Sequence, residues 1–127
     1  MSPQKVILVV DDASLVRVYY RATLEEAGFR VAEALNGIEA LEKLLATPVD
    51  LLIVDVNMPQ MDGFTFLRTL RGKEGPLGSI PALVTSTESR EADFAAARAA
   101  GANFYAVKPI DRARLVELAA TLCGVPQ

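Results

Sequence analysis

Val6-Ile7-Leu8-Val9-Val10-Asp11-Asp12 is a run of five apolar residues that ends abruptly in two carboxylates. The run does not alternate with polar residues, so it reads as a strand covered on both faces, as in a parallel sheet. The pattern returns downstream. Leu51 to Val54 ends in Asp55, Ala82 to Val84 ends in Thr85-Ser86-Thr87, and Phe104 to Val107 ends in Lys108-Pro109. A weaker strand, Arg30 to Ala34, lies between two helical stretches.

Helical periodicity fills the gaps. Val16, Tyr19, Tyr20, Thr23, Leu24 and Ala27 recur on one face, and Gly28 is a C-terminal stop. Ile38, Leu41, Leu44 and Leu45 form a second stripe, opened by Asn36 as N-cap with Glu39 three residues later and halted before Pro48. A third helix starts after Gly63, a fourth spans Ser89 to Ala100 and stops at Gly101, and a fifth starts at Asp111 as N-cap. The order is strand–helix repeated five times. It predicts an α/β fold: a doubly wound, five-stranded parallel sheet with helices on both faces. The polar segment Gly72 to Ser79 reads as the one flexible loop.

Composition narrows the chemistry. The chain has 127 residues, enough for one domain over 1–127, and 51% of them are hydrophobic. It has no histidine, which excludes a Ser-His-Asp triad, a Cys-His pair and any zincin helix. Thirteen basic residues against sixteen acidic ones, with no basic block, give no footprint for nucleic acid. No stretch approaches the roughly 20 apolar residues of a membrane span, and the start, Met1 to Lys5, lacks the marks of a signal peptide. A lone Cys123 suits a reducing, cytoplasmic setting.

Ligands of open α/β sheets bind beyond the carboxyl ends of the strands. Here that edge collects Asp11, Asp12 and Asp55, the hydroxyls of Thr85, Ser86 and Thr87, and the ammonium of Lys108. Asp11 and Asp12 alone could be helix-capping residues at a strand end. With Asp55 added they form a candidate hard-cation site, and a few carboxylate oxygens plus retained waters suit Mg²⁺. Lys108 is also an internal counter-ion for the cluster.

Four motifs stand in order on these strand ends: Val9-Val10-Asp11-Asp12, the segment Asp55 to Gly63 (Asp-Val-Asn-Met-Pro-Gln-Met-Asp-Gly), Ser86, and Val107-Lys108-Pro109. In their combination the chain resembles a response-regulator receiver domain of the stand-alone, chemotaxis-regulator type. The resemblance runs from about Lys5 to Leu122. It implies a flavodoxin-like strand order 2-1-3-4-5, with Asp55 as phosphoacceptor. Asp12 would ligate Mg²⁺, Asp11 would assist through water, and Asn57 would give its backbone carbonyl. Ser86 and Lys108 would hold phosphoryl oxygens, Ser86 and Tyr105 would form the switch, and the bond before Pro109 would be cis. Asn57 and Glu88 occupy positions that tune hydrolysis in the family.

Two residues depart from the family pattern. Thr87 stands where Ala or Gly is usual and would narrow access to Asp55, or else bond a loop carbonyl and point away. Ile110 stands where Phe is common.

The function so implied is a phosphorylation-controlled signalling switch. It would not be an enzyme in the ordinary sense, although it would catalyse its own aspartyl phosphorylation and dephosphorylation. A histidine kinase or phosphotransfer protein would be the donor, and an unidentified protein the target. The target would dock on the fourth helix, fifth strand and fifth helix of a monomer or weak dimer. No output domain is expected after Gly124-Val125-Pro126-Gln127.

Other readings stand beside it. An aspartyl phosphatase would carry a second Asp where Asn57 lies, and a cap that 127 residues cannot house. A flavin or nucleotide module would need a Gly- or hydroxyl-rich phosphate loop where Asp11-Asp12 would repel the ligand. A degenerate receiver acting as an interaction module, a phosphorelay intermediate and a phosphate sink are further variants.

Overall fold

In a computed structural model, residues 4–125 are described; residues 1–3 and 126–127, which belong to the start and the tail read above, lie outside them. Strands β1 (Val6–Val10), β2 (Arg30–Ala34), β3 (Leu51–Asp55), β4 (Ala82–Ser86) and β5 (Phe104–Val107) alternate with helices. These are α1 (Ser14–Glu26), α2 (Gly37–Ala46), α3 (Gly63–Arg71), α4 (Glu91–Ala100) and α5 (Arg112–Cys123). The strands form one parallel sheet in the order β2-β1-β3-β4-β5.

Successive side chains of a strand point to opposite faces, so an unbroken apolar run serves two cores at once. Ile7, Val9, Leu51, Ile53 and Leu83 pack with Tyr20 and Leu24 of α1 and with Leu115 and Leu118 of α5. Leu8, Val10, Leu52, Val54 and Val84 pack on the other face with Leu44, Phe66, Leu67, Leu70 and Ala97 of α2, α3 and α4. Ile110, the residue in place of Phe, is buried in the α1–α5 layer.

The caps follow the sequence. Asn36 accepts from Glu39 N at 2.9 Å, while Glu39 reaches back to Leu35 N, one residue before the expected partner. Asp62 caps α3 and Asp111 caps α5, each accepting from a backbone N–H three residues on at 2.8 Å. Gly28, Gly101 and Gly124 take the left-handed conformation after α1, α4 and α5.

Three expectations are corrected. The Phe104–Val107 run is not covered on both faces: β5 is an edge strand, and Phe104 and Val107 are 40% and 39% exposed. Helix α4 starts at Glu91 instead of Ser89, with Arg90 as its N-cap. The Gly72–Ser79 segment is not a free loop. It contains a 3-10 turn, Pro76–Ser79, and Arg71 anchors its far end by donating to Gly78 O (3.2 Å) and Ile80 O (2.6 Å).

The same guanidinium donates to Gly101 O (2.9 Å) and Asn103 Oδ1 (3.1 Å), so one side chain joins α3 to the entry of β4 and the exit of α4. Arg71→Ala should cost about 2 kcal/mol, because several carbonyls lose a charged donor at once. Arg71→Lys should recover only part of this, since a single ammonium cannot reproduce the fork. Urea denaturation at constant m-value measures both, and a loss below about 0.5 kcal/mol for the alanine variant would mean that water replaces the fork.

Candidate functional site

Because all five strands run the same way, their carboxyl ends open on one edge, and the polar residues that follow them meet there. Asp11 leaves β1 with every polar group engaged. Its N–H donates to Ala34 O (3.1 Å), and its Oδ1 accepts from Ala13 N (2.9 Å). Its carbonyl accepts from Arg17 Nη1 (2.6 Å), and its Oδ2 meets Lys108 Nζ at 2.8 Å. Asp55, the last residue of β3, lies 3.0 Å from the same ammonium through Oδ1. Asp12 is exposed, and Asp11, Asp12 and Asp55 each place one carboxylate oxygen within 4.8 Å of the others.

One ammonium therefore pairs with two carboxylates of a cluster of three. Burial pushes the Asp55 carboxyl above its usual range; Lys108 pulls it back without cancelling the shift, and Asp11 and Asp12 add to it. Burial pulls the Lys108 ammonium down, but its hydrogen bonds to Asp11 and Asp55 outweigh this and hold it above the usual lysine value. The donor set is all hard oxygen, partly open to water and short of positive charge. These are the properties of a Mg²⁺ site, so the residues present fit that ion.

The remaining expected residues lie on β4 and β5 and in the loops that follow β3, β4 and β5. Ser86 ends β4 fully buried, and its Oγ accepts from Glu88 N at 3.1 Å. Glu88 is exposed, and its carbonyl accepts from Tyr105 OH at 2.9 Å. The Tyr105 ring meets Phe94 edge-on, with centroids 4.8 Å apart, so its hydroxyl is directed to the β4–α4 loop rather than to the carboxylates. Thr87 is exposed and makes no hydrogen bond among the described residues. It lines a crevice of about 310 Å³ with Val16, Tyr20 and Lys108. Asn57 is exposed in the loop after β3. The Lys108–Pro109 bond is cis.

Gly63 is dictated by contact: a Cβ there would stand 2.4 Å from the Asp55 carbonyl oxygen. The start of α3 thus abuts the strand end that carries Asp55, with Gly63 N donating to Val56 O at 2.9 Å.

Two supports went unread in the sequence. Arg17, which holds the Asp11 carbonyl, is itself held by Glu33 of β2 at 2.9 Å, and Arg21 joins the same carboxylate at 2.7 Å. Although burial pushes the Glu33 carboxyl up, the hydrogen bonds from Arg21 and Arg17 keep it below its usual value. Glu33, set between Ala32 and Ala34 in β2, was the available signal. The second support is the pair Tyr19-Tyr20, which in the sequence belongs to the apolar stripe of α1. Tyr19 donates to Ile110 O at 2.7 Å. Tyr20 is buried against Thr85, and burial raises its phenol to about 12. A buried phenol needs a partner, which was the clue.

Comparison with known proteins gives one consistent result. The family model described as "response regulator receiver domain" matches residues 7–120. The transcriptional regulatory protein PrrA of Mycobacterium leprae is 38% identical over 110 residues, covering 87% of this chain and 46% of that protein, so the chain spans about half its length. The chemotaxis protein CheY4 of Vibrio cholerae superposes with a TM-score of 0.88 at 32% identity, covering 94% of this chain and 99% of that one. The receiver domain of the Pseudomonas aeruginosa sensor histidine kinase PA1611, solved with a magnesium ion in its active-site cleft, superposes at 0.87 with 26% identity, covering 96% and 99% of the two chains.

The raised Asp55 carboxyl has a consequence for stability. A carboxyl whose folded pKa exceeds its unfolded value stabilises the fold below the unfolded pKa, and that contribution is lost as pH rises through the folded pKa. With a metal chelator present, Asp55→Asn should therefore melt higher than wild type at pH about 7, and the gain should vanish near pH about 3, where Asp55 is protonated in both states. An Asn variant that melts lower at neutral pH would show that the Lys108 pair outweighs burial and repulsion.

Proposed function

Because the chain belongs to the response regulator receiver domain family, we propose that it is a phosphorylation-controlled signalling switch whose phosphoacceptor is Asp55. The observation that carries this reading is the shared ammonium: Lys108 stands 3.0 Å from Asp55 and 2.8 Å from Asp11 at the open edge of the sheet. Receiver domains pair with histidine kinases or phosphotransfer proteins. The donor proposed here is a phospho-histidine on such a protein, since the chain has no histidine of its own.

The reaction is an in-line displacement. An Asp55 carboxylate oxygen forms the new O–P bond, the P–N bond of the donor breaks, and the imidazole nitrogen leaves with its electron pair. A carboxylate needs no general base; its obstacle is attack by an anion on an anion. Lys108 supplies a positive charge beside the attacking oxygen, and Ser86 has a hydroxyl at the neighbouring strand end. Mg²⁺, held by Asp11, Asp12, Asp55 and the Asn57 carbonyl, would supply further positive charge to the phosphoryl oxygens when bound.

The hydroxyl of Ser86 and the phenol of Tyr105 are tied to the same residue, through the N–H and the carbonyl of Glu88. Drawing Ser86 toward a phosphoryl group breaks the first tie and frees the β4–α4 loop to move against the second. The signal then passes to the α4–β5–α5 face of a cytoplasmic monomer or weak dimer. Two arrangements of this loop that differ by only a few kcal/mol are sufficient for such a shift.

Treatment with Mg²⁺ and a small phosphodonor should add one phosphoryl group, found by mass spectrometry on Asp55. Asp55→Asn should take up none, and full modification of that variant would reject the assignment. A second expectation concerns Thr87. If its branched side chain crowds the entrance, Thr87→Ala should speed phosphorylation by small donors about tenfold, equivalent to ~1.4 kcal/mol of barrier. Stopped-flow measurement decides it, and equal rates would remove Thr87 from any gating role.

A further inference from the structure

Between the end of β5 and the cap of α5 lie three residues: Lys108, Pro109 and Ile110. Lys108 N donates to Ser86 O at 2.8 Å, which extends the β4–β5 ladder by one step. Pro109 has no N–H. Among the described residues, a single hydrogen bond ties Pro109 and Ile110 to another element: Tyr19 OH donates to Ile110 O at 2.7 Å, across 91 positions of sequence.

The donor is well held. The Tyr19 ring lies 5.7 Å from that of Tyr20, which is itself buried, and the Arg112 guanidinium of α5 sits 5.7 Å above the Tyr19 centroid. Helix α1 starts just past Asp11-Asp12, so one helix carries both the carboxylate turn at its head and, two turns on, the phenol that grips the lysine loop. A lysine is a point charge on a flexible stem of four carbons, so its usefulness depends on where its root is fixed.

We propose that Tyr19 is a positioning residue for Lys108. Its hydroxyl, acting through the Ile110 carbonyl, fixes the loop from which the ammonium reaches Asp11 and Asp55. The inference rests on the reading of Asp55 as phosphoacceptor for its consequence in rate, but not for its consequence in structure.

Tyr19→Phe removes the hydroxyl and leaves the ring contacts, so the fold should persist. With acetyl phosphate and Mg²⁺, an Asp55 oxygen forms the O–P bond as acetate leaves with its electron pair. This step should slow about tenfold in the variant, because a displaced charge loses much of its effect on the reaction. In a Lys108→Ala background Tyr19→Phe should change the rate no further, whereas a residue that merely supports the fold would slow both backgrounds equally. Independently, ¹H–¹⁵N NMR of the Lys108 ammonium in the metal-free protein should show faster exchange with water in Tyr19→Phe than in wild type.

Unchanged ammonium exchange would overturn the proposal, as would an equal loss of rate in both backgrounds. A wild-type chain that takes up no phosphoryl group would refute the reading of Asp55 instead, and the ammonium measurement would still decide the role of Tyr19.

Discussion

A single ammonium shared by two buried carboxylates constrains the rest of the site. Lys108 leaves the end of β5 and reaches past β4 to Asp55 at the end of β3 and Asp11 just past β1, so one point charge from β5 bonds groups at the ends of two other strands. It can do so only in a parallel sheet, where those ends share an edge. The arrangement is unbalanced by construction. Three carboxylates with oxygens within 4.8 Å of one another exceed the charge that Lys108 brings, and the surplus favours a further cation. A divalent-cation site at this edge therefore follows from how its side chains are charged.

The supporting structure also holds the backbone of the charged residues. Arg17 grips the carbonyl of Asp11, the start of α3 closes on the carbonyl of Asp55, and Ser86 O receives the N–H of Lys108. Fixing the roots while leaving Asp12 exposed allows an incoming ion and an anion to enter without rebuilding the core. The two apolar layers beneath supply the stiffness, since close-packed interiors transmit displacement instead of absorbing it.

Most of this was legible in the residue order. Apolar runs that stop at a charged residue marked both the strands and the edge where Asp11, Asp55 and Lys108 converge, and Asn36, Asp111 and Gly28 marked helix ends through local capping chemistry. What could not be read were contacts between residues distant in sequence. Tyr19 looks like any apolar-stripe residue until Ile110 is placed beside it, and Glu33 looks like a solvated strand residue until Arg17 and Arg21 fold over β2. The misreading of β5 has a different origin. The run Phe104-Tyr105-Ala106-Val107 is as apolar as a central strand, and that pattern alone reads it as covered on both faces, although the expected order 2-1-3-4-5 already places it at the edge, where no strand among the described residues pairs with its outer side.

That outer side bears on colloidal behaviour. A sheet edge with free backbone donors and acceptors is a template for an incoming strand, and exposed Phe104 and Val107 would add sticky side chains to it. The chain limits the hazard in two visible ways. β5 is only four residues long, so an added strand would gain few backbone bonds, and the Arg114 guanidinium lies 5.6 Å over the Phe104 ring, placing a hydrated charge on the apolar spot. Removing that arginine would leave the fold's interior untouched while unmasking the patch. Its expected cost is therefore in solubility at high protein concentration rather than in the free energy of folding.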